Sequence, residues 1–409
     1  MKPREREDSG EQDLFRSRLD QIVDMSHPKV ILASLMDWQF LSSKLGEVYS
    51  DGPGQPPLAS RLMAGLHILK YADNLSDDEV CARWLENPYY QYFCGEEFFR
   101  HELPLDRSSM TRWRQRMGED RLTALLQESL AVAVKTKAAK PGDFTGVIVD
   151  TTVAEKDVAF PTDAKLIHKA RDRLVSQAKR AGIKLRQSYT RVGKRALIQH
   201  QRYAHAKQYK RARRQLRKLK TYLRRTIRDI ERKIEGDEAL QDAFRRPLWL
   251  GQRVLTQQRR DPRPKVYALH APEVECIGKG KAHKPYEFGV KVSVATTLNR
   301  CKGGQFAVHA KALPGRPYDG HTLETVIPEI EDLTGATLKR ILADAGYRGH
   351  NAPGVYKLRV FTAGQKRRVT PAIKRQMKRR SAVEPVIGHL KNGHRMDRNY
   401  LAHQQGDAI

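Results

Sequence analysis

The chain holds 409 residues, with 76 Lys or Arg against 47 Asp or Glu and a formal net charge of +29. That length allows two or three domains, and that charge calls for a polyanionic partner, nucleic acid before an anionic membrane. No run of 18 apolar residues occurs and the first 25 residues carry no apolar segment, so neither a membrane span nor a secretory leader is expected. A cytoplasmic, nucleoid-associated location without a membrane partner follows as the expectation. The four cysteines, Cys81, Cys94, Cys276 and Cys301, form no C-x-x-C pair and support neither a zinc site nor a disulfide framework.

Residues 1–25 are polar and mixed in charge, and read as a disordered tail. Residues 26–140 read as a helical DNA-binding domain. Leu62, Leu66 and Leu69, widened by Met63 and Ile68, give one apolar helix face between Leu58 and Tyr71. Ser76 with Glu79 three residues on is a capping box, opening a helix through Val80, Trp84 and Leu85. Asp106 is placed to cap a further helix to about Met117, with Gly118 ending it. That helix presents Arg112, Arg114 and Arg116. Two readings stand: a helix-turn-helix with its last helix on DNA, or a plain bundle with a solvated basic face.

A short apolar run follows, Gly146-Val147-Ile148-Val149-Asp150-Thr151-Thr152-Val153. Its β-branched residues predict a buried strand. Asp150 inside it costs several kcal/mol, about, unless paired or bound to metal; otherwise it is a strand-end residue capping a turn.

Residues 163–260 change composition: 30 Lys or Arg against 8 Asp or Glu, net +22. Leu216, Leu219, Leu223, Ile227, Ile230 and Ile234 recur at helical spacing. Between them lie Arg213, Arg214, Arg217 and Arg224 with other cations. A face of one sign repels itself, and a DNA backbone along it removes that cost. The segment is therefore read as a basic helical insert that grips DNA. Trp249 at its end is read either as core or as a ring that stacks on an unpaired base.

Strands return after about Lys265, which opens a short candidate to His270. Phe288 to Thr297 alternates cleanly, with Phe288, Val290, Val292 and Val294 on one side. Phe306–Ala312 is another strand. Leu313–Gly320 is a turn. Leu323, Val326, Ile327, Ile330 and Leu333 mark a helix ended by Gly335. Leu338–Asp344 is a strand with a second acid at its end, and Lys357–Phe361 a last one. The basic turn from Gly278 to Lys284 lacks phosphate-loop spacing.

With the insert removed, this is the element order of a ribonuclease-H-like α/β domain, built from 141–162 and 261–409. In that fold the first and fourth strands are neighbours, which would set Asp150 beside Asp344. A third acid is Glu384, in Arg380-Ser-Ala-Val-Glu384-Pro385 with Lys391 seven residues on. Residues four and seven apart share a helix face, although Pro385 is comfortable only in a first turn. A helix starting at about Glu384, or one kinked there, is expected.

Asp150 in V-I-V-D-T-T, Asp344 in A-D-A-G-Y-R-G and Glu384 followed by Lys391 resemble the DDE triad of bacterial insertion-sequence transposases, in particular the insertion sequence 5 family. The broader signature is Tyr, two residues, Arg, three residues, Glu, six residues, Lys. Arg380, Glu384 and Lys391 keep that spacing, while Met377 stands where the signature has Tyr. The resemblance implies metal-dependent cleavage and strand transfer at inverted terminal repeats. Asp150, Asp344 and Glu384 would hold two Mg²⁺ or Mn²⁺ ions for in-line phosphoryl displacement. Lys391 and Arg380 would hold DNA phosphates. The implied partners are terminal-repeat and target double-stranded DNA, with a homodimer assembled on it. Relatives usually continue with a further apolar helix, whereas this sequence stops at Gln405–Ile409, so weaker packing behind Glu384 is expected. Two other readings share these features: a ribonuclease-H-like nuclease that cuts without joining, and a non-catalytic binding protein from a truncated copy.

Overall fold

The computed structural model describes residues 17–49, 57–258, 261, 264–279 and 283–409. They fall into two compact units. One joins the described residues up to Glu155 with Val290–Ile409, and the other is Lys156–Gly289. The first unit holds both the N-terminal helices and most of the sheet, which the sequence reading had divided between two domains.

The described residues open with seven helices: α1 (Leu19–Ile22), α2 (Pro28–Leu35), α3 (Trp38–Gly46), α4 (Ser60–Ala72), α5 (Asp77–Glu86), α6 (Pro88–Phe93) and α7 (Ser108–Lys135). Most of the expected tail, residues 1–16, lies outside the described residues. Of the rest, Leu19 is fully buried, because α1 docks through a backbone bond to Glu97 O at 2.8 Å. Local chemistry starts the helices. Asp37 accepts from Phe40 N at 2.8 Å, Asn87 accepts from Tyr89 N at 2.9 Å, and Pro28 and Pro88 sit where no N–H is needed. The Ser76–Glu79 capping box forms in both directions. Leu41, Leu45, Met63, Leu66, Trp84 and Phe93 are the heart of one apolar core.

Asp106 does cap the start of α7, accepting from Ser108 N at 2.8 Å. Gly118 breaks that helix at φ 69° and ψ −175°, a conformation open to glycine, but the chain re-enters the helix at once and runs to Lys135. The first helix thus ends at Gly118 as expected, and a second continues directly to Lys135. Between α5 and α7 lie α6 and residues 94–107. This is far longer than the three- or four-residue turn of a helix-turn-helix.

The second part of the chain runs β1 (Gly146–Lys156), α8 (Asp163–Arg180), α9 (Thr190–His205), α10 (Tyr209–Ile234), α11 (Glu238–Thr256), β2 (Glu275–Gly278), β3 (Tyr286–Thr297) and β4 (Ala307–Leu313). It continues through α12 (Leu323–Thr334), β5 (Arg340–Ala343), β6 (Val360–Thr362), α13 (Pro371–Met377), α14 (Val383–Gly393), β7 (Arg398–Asn399) and α15 (His403–Ala408). The short strand expected at Lys265–His270 is absent. That stretch is irregular, and pairing begins at β2, where Glu275–Gly278 runs antiparallel to the first residues of β3.

In the first unit the sheet order is β3-β1-β5-β6, with β4 paired to β3 and β7 to β1. It is mixed: β1 and β6 flank β5 in parallel, and β4 is antiparallel to β3. Strand alternation divides the residues between two layers. Val147, Val149, Ile341 and Ala343 pack under α12 through Leu323, Val326, Ile327 and Ile330. Ile148, Leu342 and Phe361 face the opposite way, against Ile373 and Val383. Gly335 ends α12 in the left-handed region, φ 65°.

The second unit contains helices α8–α11, packed on Ile167, Leu174, Leu219, Leu223, Ile227, Ile230 and Phe244. Pro247 lies inside α11 and donates no hydrogen bond to Ala243 O. The Gln177 side chain does so instead, at 2.9 Å.

Candidate active site

The site follows from the sheet's period of two. On β1, Ile148 faces α14, Val149 faces α12, so Asp150 faces α14. On β5, Leu342 faces α14, Ala343 faces α12, so Asp344 again faces α14. The two strands are parallel, with Val149 opposite Ala343 as the last paired residues. Asp150 and Asp344 are therefore the next residues along adjacent strands, on one face, where the β1–β5 pairing ends; β5 stops there while β1 runs on to Lys156. Neither carboxylate is fully buried. Asp150 accepts from Thr151 N at 2.8 Å and Asp344 from Ala345 N at 2.6 Å.

The Glu384 neighbourhood is built by α14. Val383 is buried against Ile148 and Leu342, Ile387 packs beside it, and Ile387 and Leu390 reach Val290, Val292 and Val294 of β3. These contacts lay α14 on the face that carries the two aspartates. Glu384 is exposed in the first turn, next to buried Val383. Pro385 sits in that same turn, which resolves its position: the helix begins at Val383 without a kink. Arg380 precedes it on a separate 3₁₀ turn, Lys378–Ala382, so it does not share an α-helical stripe with Glu384. Its guanidinium instead lies 3.7 Å from Asp344. Lys391 is half-buried in the last turn of α14.

A third aspartate near this point escaped the sequence reading. Asp319 accepts from Thr151 Oγ1 at 3.0 Å and from Lys291 Nζ at 2.9 Å, and Lys291 also reaches Pro317 O at 2.8 Å. A Cβ on Gly346 would stand 3.1 Å from Asp319 Oδ2. Tyr347, buried beneath, has its phenol pushed well above the usual range, first by burial and then by the charges of Asp319, Asp150 and Asp344. By its sequence, Asp319 belongs to the turn Leu313–Gly320. The signal that marks it is Lys291, a lone cation in the apolar run Val290–Val294, which needs an acid to pair with.

Asp150 and Asp344 supply oxygen donors alone, the set that Mg²⁺ and Mn²⁺ prefer. Among the described residues, no three Asp, Glu, His or Cys side chains stand close enough to hold one ion between them. The fold thus brings Asp150 and Asp344 together and places α14 on their face, without closing Glu384 onto them.

A family model described as "Transposase domain (DUF772)" matches residues 17–116, from α1 into the first part of α7. The chain is 49% identical over 209 residues to the "Uncharacterized protein ORF8 in nfe locus" of Rhizobium meliloti, which is all of that protein and 51% of this chain. The chain belongs to the family of that protein and carries a transposase domain. No solved structure matches it.

Within the transposase domain, the three arginines of α7 have different surroundings. Arg112 is 71% exposed in its side chain and lies 3.7 Å from Asp106. Arg116 is exposed, with its guanidinium 5.3 Å from the Tyr49 ring. Arg114 is 2% exposed and bonds Asp77 twice, at 2.9 and 2.6 Å, with a further contact to His67 Nε2 at 3.3 Å. A guanidinium held inside the core cannot meet a DNA phosphate, so its expected DNA contact is corrected to a structural ion pair. On the insert, Arg213, Arg214, Arg217 and Arg224 are all exposed along α10. Trp249 is 61% exposed on α11, which removes the core reading of that ring. No helix among the described residues is long and apolar enough to cross a membrane.

Proposed function

We propose that the chain is a DDE transposase, akin to the insertion sequence 5 family, that cuts DNA at inverted terminal repeats and joins the freed end to target DNA. One observation carries the reading: Asp150 and Asp344 directly follow the last paired residues of two neighbouring parallel strands, on the face covered by α14, whose first turn bears Glu384. A mixed sheet with helices on both faces, its acids where the β1–β5 pairing ends, suits a ribonuclease-H-like catalytic unit.

In this proposal Asp150 and Asp344 hold Mg²⁺ or Mn²⁺ and Glu384 completes the donor set. Bound as a pair, such ions supply the positive charge that an in-line displacement at phosphorus needs. First, a water oxygen bonds to phosphorus at the transposon end, the DNA 3′-oxygen leaves, and it ends as a 3′-OH. Then that 3′-OH attacks a target phosphodiester, whose own 3′-oxygen leaves. Arg380, already 3.7 Å from Asp344, exchanges this acid for a DNA phosphate, and Lys391 holds a second phosphate. The Asp319–Thr151 bond fixes the backbone directly after Asp150. The exposed arginines of α10 track flanking or target duplex, and two chains assemble on DNA to bring two ends together.

The test uses a labelled DNA end with the element's terminal repeat, incubated with Mg²⁺ or Mn²⁺. The expected result is a metal-dependent 3′-OH nick plus a joined product, both lost in Asp150→Ala while DNA binding persists. Nicks that never join would leave a nuclease. Tight binding without cleavage in either metal would sink the phosphoryl-transfer reading.

A further inference from the structure

The insert contains a pocket of about 550 Å³ where the α8–α9 connection meets α10. Four guanidinium groups line it, from Arg186, Arg225, Arg228 and Arg232. Two acids also line it, and one of them is already engaged. Asp229 is buried, and its carboxylate takes Arg186 N at 2.8 Å and Arg232 at 3.4 Å. Glu231 is exposed. Among the described residues, the side chains of Arg186, Arg225 and Arg228 meet no carboxylate. Like charges gathered around a concave surface repel one another unless an anion enters.

One aromatic ring completes the lining. Tyr189 lines the pocket, and Tyr222, outside the lining, stacks on its ring with centroids 4.7 Å apart and planes 12° from parallel. Tyr189 sits at φ 55° and ψ 21°, a left-handed conformation that is costly for a bulky residue. The loop holding it is fixed from both sides. Arg171, itself buried, donates to Ser188 O at 2.7 Å, and Asp229 holds Arg186 N. Gly193 leaves the room that the Arg171 guanidinium fills, since a Cβ there would lie 3.1 Å from it. The ring is therefore presented by a built support.

We propose that this pocket binds a nucleotide, with its phosphate between the arginines and its base on the Tyr189 ring. Guanidinium groups recognise phosphate, and a pre-stacked aromatic face recognises any base. The nucleotide comes either free or as one unpaired residue of a strand. The inference goes beyond phosphoryl transfer: binding needs no metal, so it stands or falls separately from cleavage.

The test is calorimetry on the full chain without metal, using thymidine 5′-monophosphate, thymidine and inorganic phosphate. The monophosphate is expected to bind at least about ten-fold tighter than thymidine or phosphate alone. Arg225→Ala with Arg228→Ala, at exposed positions, and Tyr189→Leu should each weaken it at least about ten-fold. Lys194→Ala with Arg195→Ala, equal in charge lost but outside the pocket lining, should stay within about two-fold. If Tyr189→Leu disrupts the loop, the arginine pair still decides. A thymidylate dodecamer that binds at least about ten-fold tighter than the monophosphate, with the same sensitivity, identifies a strand; equal binding identifies the free nucleotide. The proposal is overturned if the monophosphate does not bind, if phosphate alone matches it, or if the charge-matched control loses as much.

Discussion

Arg114 on α7 and the arginines along α10 are used in opposite ways. On α7, Arg114 is turned inward to Asp77, and Lys70 reaches the same carboxylate at 2.8 Å. On α10 the arginines between the apolar positions Leu219, Leu223, Ile227 and Ile230 are exposed. The difference lies in the partner elements. The first turn of α5 offers α7 a half-buried acid facing it, whereas α10 buries a mostly apolar stripe whose one acid, Asp229, is taken by Arg186 N and by Arg232 and Lys233. Arginine content alone says little about what an arginine does; a carboxylate on the facing surface decides it.

The largest break in this comparison is Arg114→Ala. It strands Asp77 with Lys70 alone, and we expect a loss of about 3 kcal/mol in urea unfolding. A shift under 1 kcal/mol, roughly, would show that the pair is dispensable.

The same network sets a pH dependence. Burial first, then the Arg114 charge, lowers the His67 imidazole to about 3. Its Nδ1 donates to Met63 O at 2.7 Å, leaving Nε2 to accept from Arg114. The unfolded chain takes up a proton below about 6.5 that the folded chain refuses, so stability rises with pH across this interval. On acidification from about 6.5 toward 3 it falls by up to about 1.4 kcal/mol per unit. Asp77 is held well below the usual carboxylate range: burial opposes this, but bonds from Arg114 and Lys70 outweigh it. Its contribution is present above about 4 and fades only as pH falls further. Unfolding measured between roughly pH 4.5 and 6.5 therefore separates His67 from Asp77, and comparison with a His67 variant separates it from His200 and His350, whose imidazoles burial also lowers. His67→Gln should flatten the slope there, and an unchanged slope would refute this account.

Gly118→Ala tests the kink that separates the arginine-bearing part of α7 from its continuation. Space is open at that Cβ, so strain from the positive φ is the main cost, about 1–2 kcal/mol by thermal unfolding. Stabilisation would mean that the kink relaxes. At the small end, Arg213→Ala should alter stability by less than about 0.5 kcal/mol. Its salt dependence of DNA binding should drop by about 0.9 in log–log slope. An unchanged slope would take Arg213 off the DNA path.

Much of this was legible in the residues. The capping box at Ser76 and the end of α12 at Gly335 rest on interactions within a few residues, and both formed; β3 formed where its period of two marked it. Lys265–His270, expected as a strand, is irregular, because a strand forms only where distant packing supplies a pairing partner. Of the candidate site, strand period and element order sufficed to place Asp150 and Asp344 on neighbouring strands. Asp319 was missed because its partners, Thr151 and Lys291, lie 168 and 28 residues away. Arg114 was misassigned because Asp77 is 37 residues distant and belongs to another helix.

By itself the sequence determined periodicity, caps and charge: which stretches are helix or strand, which faces are apolar, and that the insert is strongly basic. These are short-range properties, fixed by 3.6- and two-residue repeats. Only the tertiary structure decided which charges meet. It gave Arg114 to Asp77, Arg380 to Asp344 and Lys291 to Asp319, and it left the α10 arginines exposed. An ion pair depends on the last few ångströms between side chains that the chain brings together from afar, and burial sets its strength.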